Sequence, residues 1–285
     1  MRSTTDLATP FDRSERSIWR GSADAYARSF AHLCAHLAPD LVDAAAPRGA
    51  HSPKVRVLDV GTGTGTVARE ARRRGCEVVV CDADPGMVAA AAGAAGAGGA
   101  HLTGVAGALP ALPFADGSFD AVTAGFVLNH VGRPRASAAE LVRVVRPGGR
   151  VAATIWASPP GAGQTLVGRA LAAAGIERPA SFPSLARDDD FPRTADGFAQ
   201  VLRGAGPVDV VVTEHRWDHR VDLDTWWSGL ASGVATIGKV LTGAPPRAQA
   251  EARAHFDRLA AALRDDDGLL VLPHVALLGH GRHLS

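Results

Sequence analysis

Residues 55–65 read Val-Arg-Val-Leu-Asp-Val-Gly-Thr-Gly-Thr-Gly. The apolar run has strand length, and its Val and Leu content suits a strand buried on both faces. Glycines at every second position after Val60 predict a tight turn. There the backbone takes conformations closed to other residues, and a ligand reaches main-chain N–H groups with no Cβ in the way. Residues 66–74 then carry helical spacing, so the stretch reads as strand, turn and helix.

Outward from this corner the same unit recurs. Residues 77–84, EVVVCDAD, read as a second buried strand, Pro85 to Ala95 as a helix, and His101 to Val105 as a short third strand. FDAVTAGFVL gives a fourth strand, Ala136 to Val145 a helix, and GGRVAATIWA a fifth strand. Strands separated by helices imply parallel pairing through right-handed crossovers. Past Ala157 a Pro- and acid-rich stretch interrupts the rhythm. A helix at about Ala195 to Gly204 and a long strand at Val208 to Val221 follow. Two helices, Leu223 to Leu241 and Pro246 to Arg264, then precede a last strand near Leu269 to Leu278.

The expected fold class is α/β, a doubly wound, Rossmann-like, mostly parallel seven-stranded sheet with N-terminal helices and a helical lid inserted between the last two strands. Residues 1–50 are expected to form a helical segment that covers the ligand. Residues 51–285 form the main domain, with lid segments at about 158–195 and 222–266.

Composition narrows the partners. Apolar residues make up 46% of the 285, ample for a packed core. Thirty Lys and Arg against 29 Asp and Glu leave a formal charge of +1, which offers no global field for nucleic acid or an anionic membrane. A small-molecule partner is expected. Three cysteines, Cys34, Cys76 and Cys81, have neither the number nor the spacing of a disulfide or zinc scaffold. The charged start of the chain lacks the apolar core of a signal peptide, and a cytoplasmic monomer or homodimer is expected. The Arg- and Ala-rich composition suggests a GC-rich bacterial genome.

A dinucleotide fingerprint would need a small third residue where Thr66 stands, so the glycine register disfavours NAD. The run Asp59-Val60-Gly61-Thr62-Gly63-Thr64-Gly65 instead resembles the first motif of the class I S-adenosylmethionine-dependent methyltransferases. Asp82 in VVVCDADPGM resembles that family's ribose-binding acid, LPALPFADGSFDAV its loop and fourth strand, and VVRPGGRVAATIW its fifth strand. The resemblance is strongest from Val55 to Ala157, and is nearest to the ubiquinone and menaquinone biosynthesis methyltransferases.

That resemblance implies S-adenosylmethionine as cofactor, with S-adenosylhomocysteine as product, and methyl transfer to O, N or C of a small, largely apolar acceptor; the elaborate lid and the composition add a secondary metabolite as an expected acceptor. It implies cofactor contacts at Tyr26, Asp59, Gly61, Thr62, Gly63, Asp82, Ala83, Met87, Ala108, Leu109, Gly125 and Phe126. Ala108-Leu109 stand where the family often has Asp-Ala against the adenine amino group. Met87 reads equally as a helix-core residue.

His130, after the fourth strand, is the first candidate base; a histidine satisfied by local structure is the competing reading. On the sixth strand, period two sets His215, Trp217 and His219 on one face. His215 and His219 are further candidate bases. Asn129, Trp217 and Trp226 are candidate substrate contacts, with lid packing as the alternative for the strand and the tryptophans. His32 and His36 are one helical turn apart with no carboxylate between them, and no metal is expected. A rival function keeps the cofactor as a structural element in a cyclase, isomerase or ligand-binding protein.

Overall fold

The computed structural model describes residues 8–46, 54–93 and 102–284. Before the sheet come α1 (Pro10–Trp19), α2 (Ala23–Arg28), α3 (Phe30–Cys34) and α4 (Ala38–Ala45). The sheet's strands are β1 (Arg56–Val60), β2 (Glu77–Asp82), β3 (Thr103–Ala106), β4 (Phe119–Gly125), β5 (Val145–Trp156), β6 (Val208–Val221) and β7 (Leu270–Arg282). They are linked by α5 (Thr66–Arg73), α6 (Pro85–Gly93), α7 (Pro134–Arg143), α8 (Ala162–Ala173), α9 (Ala195–Gly204), α10 (Leu223–Ala231), α11 (Ala235–Gly243) and α12 (Pro246–Ala260).

The seven strands lie in the order β3-β2-β1-β4-β5-β7-β6. The first five pair in parallel, while β7 runs antiparallel to both β5 and β6. Strand order reverses at β1, which lies between β2 and β4. In such sheets a crevice opens beyond the carboxyl ends of the strands at this reversal. The glycine corner after β1 sits there.

The sheet's core packs Leu58, Val122 and Ile155 with Leu141 of α7 and Phe198 of α9, all essentially inaccessible to solvent. A second core joins Leu166 of α8, Leu230 of α10 and Phe256 of α12 to Leu272 and Ala276 of β7. Full burial of each such large side chain contributes about 1.5–3 kcal/mol. These helices are thereby fixed to the last strand.

Three expectations change. The Pro- and acid-rich stretch after Ala157 contains α8, a twelve-residue helix. Gly161 at its N-cap and Gly163 in its first turn allow close approach to β7, since a Cβ at Gly163 would fall 2.7 Å from Leu272 Cβ. The span read as one helix, Leu223 to Leu241, is two: Gly233 takes a φ of +72° and Ala235 one of +57°, which ends α10 and turns the chain into α11. β7 also extends beyond Leu278 to Arg282. The expected helix end at Ala95 and strand start at His101 fall outside the described residues.

Helix α1 docks where the crevice opens. Thr9 and Asp12 form a reciprocal capping box, with Pro10 at the first turn. The other carboxylate oxygen of Asp12 accepts from the Gly132 N–H at 2.7 Å. One acid thus caps the helix and fastens it to the loop after β4.

Candidate functional site: a covered chamber at the sheet reversal

Gly61, Gly63 and Gly65 have φ of +62°, +53° and +82°, the left-handed region that glycine adopts without strain. A Cβ on Gly61 would meet Val127 Cγ2 at 2.5 Å, and one on Gly63 would lie 3.2 Å from Tyr26 Cε1. Beneath the corner, Asp59 accepts from Thr62 Oγ1 at 2.7 Å and from Thr123 Oγ1 at 2.8 Å. Burial pushes the Asp59 carboxyl up to about 6, against the lowering effect of those two hydroxyls. Asp59 and Thr62 therefore brace the turn from behind and do not line the main chamber.

Asp82 ends β2 and faces the chamber. Its carboxylate accepts from the Gly63 N–H at 2.9 Å and from the Asp84 N–H at 3.0 Å. Burial raises its pKa above the usual carboxylate range, and those backbone donors offset part of the rise. Among the described residues it has no cationic partner. A buried acid with lone pairs to spare suits a ligand bearing adjacent hydroxyl donors. Together with a cradle that a Cβ would fill, this matches the needs of a nucleoside.

The chamber holds about 630 Å³, within the usual range for small-ligand sites. Tyr26, Gly61, Gly63, Asp82, Ala83, Met87, Ala108, Leu109, Gly125, Phe126, His130 and Trp226 all line it. Met87 is also buried in its helix, so its two readings are compatible. Asp84 caps α6 by accepting from the Met87 N–H at 3.0 Å, fixing that side chain's place. Tyr26 is half-buried at the chamber, and burial pushes its phenol above the usual range. It stays protonated, as does the Cys34 thiol, pushed up by burial to about 11.

His130 meets an acid that the sequence reading did not single out. Its Nδ1 lies 2.8 Å from Glu15 Oε2 of α1, and Trp19 packs edge-on at a ring separation of 5.2 Å. Burial alone would raise the Glu15 carboxyl, but the bond and charge of His130, with Trp19 and Thr236, hold it below the usual carboxylate range. The ionised Glu15 accepts a proton bond from Nδ1–H. In the neutral ring this leaves Nε2 as the acceptor.

Besides Asp59 and Thr62, four candidates do not reach the chamber. Asn129 is used structurally, its Oδ1 accepting from the Trp156 N–H at 3.1 Å. His215, Trp217 and His219 do face inward on β6, as period two predicts. However, β7 lies between β6 and β5, so the chamber wall there is His274, the register partner of Trp217. Trp217 packs behind the wall, stacked on His36 at 4.8 Å and on Trp156 at 5.9 Å. His215 bonds Thr213 at 2.9 Å and lies 3.5 Å from Asp40. His219 sits against Trp226 at 5.6 Å, and burial, then His32 and His36, lower its pKa.

Glu15, Gln164 and His274 line the chamber without having been singled out. Glu15 shares a helix face with Trp19, one turn on, a signal present in the sequence. Gln164 lies in the helix that composition disguised. Among the described residues, no group of three or more His, Cys, Asp or Glu is arranged to hold a metal ion, and no helix is long and apolar enough to cross a membrane.

Sheet order, glycine corner and the acid ending β2 are those of the class I S-adenosylmethionine-dependent methyltransferase fold, which the chain resembles. Residues 58–153 match the family model described as a methyltransferase domain, which supports the resemblance to the S-adenosylmethionine-dependent methyltransferases and S-adenosylmethionine as cofactor. A demethylmenaquinone methyltransferase from Beutenbergia cavernae is 44% identical over 108 residues, 38% of this chain and 43% of that protein. The chain thus matches less than half the length of that curated relative. A putative methyltransferase from Bacillus halodurans has a similar fold, with a TM-score of 0.55 at 20% identity, covering 87% of this chain and 99% of that one. The cyclase SpnF also shares it, with a TM-score of 0.51 at 21% identity over 88% of this chain and 81% of that one.

Proposed function

We propose that the protein transfers the methyl group of S-adenosylmethionine to a small, largely apolar metabolite, with His130 as the base that takes the acceptor's proton. The observation that carries the reading is one chamber containing both the Gly63–Asp82 cradle and the His130–Glu15 pair. Bound S-adenosylmethionine would supply a methyl already activated by its sulfonium centre. The chain's share is alignment and proton handling.

In this reading Gly61 and Gly63 let the ligand lie against the backbone, and Asp82 accepts from its ribose hydroxyls. Met87 and Leu109 flank the base with apolar surface, and Ala108 adds no charge beside it. Glu15 holds the His130 ring with Nε2 free to accept a proton from a hydroxyl, an acidic carbon or a protonated amine. Tyr26, Trp19 and Glu15 form the roof that keeps out water. The chamber's other wall, with Trp156, Val167 and Trp226, suits an apolar acceptor. A secondary metabolite fits this description.

The cyclase among the structural neighbours keeps a second reading in view, in which the cofactor is structural and the chamber promotes another rearrangement. The two are separated by incubation with S-adenosylmethionine labelled in its methyl group and a panel of apolar acceptors carrying hydroxyl, amine or acidic carbon. Label in the acceptor is the expected outcome. Tight S-adenosylhomocysteine binding with acceptor converted but never labelled would favour the cyclase reading.

A further inference from the structure

The chamber wall formed by α8 and β7 contains two side chains with polar groups left over. Gln164 accepts through Oε1 from the Gly161 N–H at 2.7 Å and from the Val275 N–H at 3.0 Å. Two backbone donors on one amide atom fix that atom as oxygen and exclude the flipped amide. Its Nε2 is then a donor, and it has no partner among the described residues.

His274, next to Val275 in the chain, is defined just as sharply. Its Nδ1 lies 2.7 Å from the Leu272 carbonyl oxygen, an acceptor only, so Nδ1 carries the proton and Nε2 a lone pair. Burial pushes this ring's pKa down to about 4, and its neutral form persists at physiological pH. Nε2 has no partner among the described residues. Trp226, whose ring lies 6.1 Å from that of His274, also has a buried indole N–H without a partner. The Trp226 N–H is fully buried, and such groups are nearly always hydrogen-bonded, so it calls for a ligand or water, while Gln164 and His274 line the chamber itself.

We propose that Gln164 and His274 form a recognition pair for the polar edge of the acceptor: an apolar molecule bearing a hydroxyl that donates to His274 Nε2 and accepts from Gln164 Nε2. The inference rests on the chamber being the acceptor site assigned above. A hydroxyl is the smallest group that donates and accepts at once. An apolar body attached to it matches the surrounding Trp156, Val167 and Trp226. Neither residue is asked to move a proton; together they orient the acceptor and select it over analogues that lack the donor.

The test uses 2-naphthol and 2-methoxynaphthalene, which share an apolar body but differ in the hydroxyl donor. Calorimetry or equilibrium dialysis is run on the whole protein, alone and saturated with S-adenosylhomocysteine. The wild-type protein is expected to bind 2-naphthol about tenfold more tightly, the ratio for one buried hydrogen bond. His274→Phe is expected to bring the ratio within about twofold while 2-methoxynaphthalene still binds. Gln164→Glu keeps the oxygen for Gly161 and Val275 but removes the donor, and should widen the ratio because the ether loses its only partner. No preference in the wild-type protein, no binding of either probe, or a preference that survives in His274→Phe would each overturn the pair. Preference without S-adenosylhomocysteine binding would instead count against the methyl-transfer reading alone.

Discussion

Glu15 and His130 stand 115 positions apart in the chain and 2.8 Å apart in space. The contact joins the first helix to the end of the fourth strand, so the group that roofs the chamber also orients its candidate base. Removing the charge while keeping the shape, by Glu15→Gln, is expected to lower kcat about 10- to 100-fold, up to the lower end of what a general base contributes. S-adenosylhomocysteine affinity should stay within about twofold. His130→Ala should cost at least as much. The double variant should be no slower than His130→Ala, because the two act as a unit. Additive losses in steady-state kinetics would show that Glu15 acts elsewhere.

Asp82 is the acid assigned to the ribose. Replacing it with Ala removes an acceptor whose other bonds serve Gly63 and Asp84. S-adenosylhomocysteine binding, measured by calorimetry, should weaken by about 1–3 kcal/mol, as expected for hydrogen bonds to a charged group. Unchanged affinity would remove Asp82 from the cofactor site.

The glycine corner makes a steric prediction. Gly61→Ala places a Cβ against Val127 at a φ of +62°. The clash and the backbone strain together should cost about 1–3 kcal/mol and lower Tm by several degrees. Adding Val127→Ala should recover part of the loss, since it relieves the clash and leaves the strain. A Gly61→Ala protein as stable as the wild type would contradict the turn geometry.

His274 predicts how stability depends on pH. Its folded pKa of about 4 lies below the ordinary 6.5, so between these values the unfolded chain binds the extra proton. This contribution is fully present above pH 6.5 and falls away as pH drops towards 4. The two and a half units correspond to about 3 kcal/mol at most. His219 and His280 are shifted in the same direction and add to the slope. Urea denaturation from pH 4 to 7 should therefore show a smaller slope in His274→Phe than in the wild-type protein. Equal slopes would mean that the ring is not held neutral.

The parallel half of the sheet was legible because its signals are local: apolar runs ended by glycine or acid, at a spacing only crossover helices satisfy. The cofactor candidates on the β1, β2 and β4 loops line the chamber for the same reason. Asp59 and Thr62 belong to that motif but brace it, a difference of side-chain direction that spacing does not encode. Beyond β5 the signals depend on tertiary partners. Alternation on β6 correctly placed His215, Trp217 and His219 on one face. The interposition of β7 is a matter of strand order, and it hands the wall to His274. Gln164 was hidden because Pro159, Pro160 and the glycines of α8 read as loop, although those small residues are what let the helix lie on β7. Apart from the helix face it shares with Trp19, Glu15 carries no local signal of its role, because only the docking of α1 over His130 brings the pair together.

The most direct test is a crystal structure of the protein with S-adenosylhomocysteine. The account predicts both ribose hydroxyls on the Asp82 carboxylate, the ligand backbone against Gly61 and Gly63, and its sulfur opening into the space bounded by His130 and the α8–β7 wall. A ligand bound away from Asp82, or a sulfur turned out of that chamber, would contradict it.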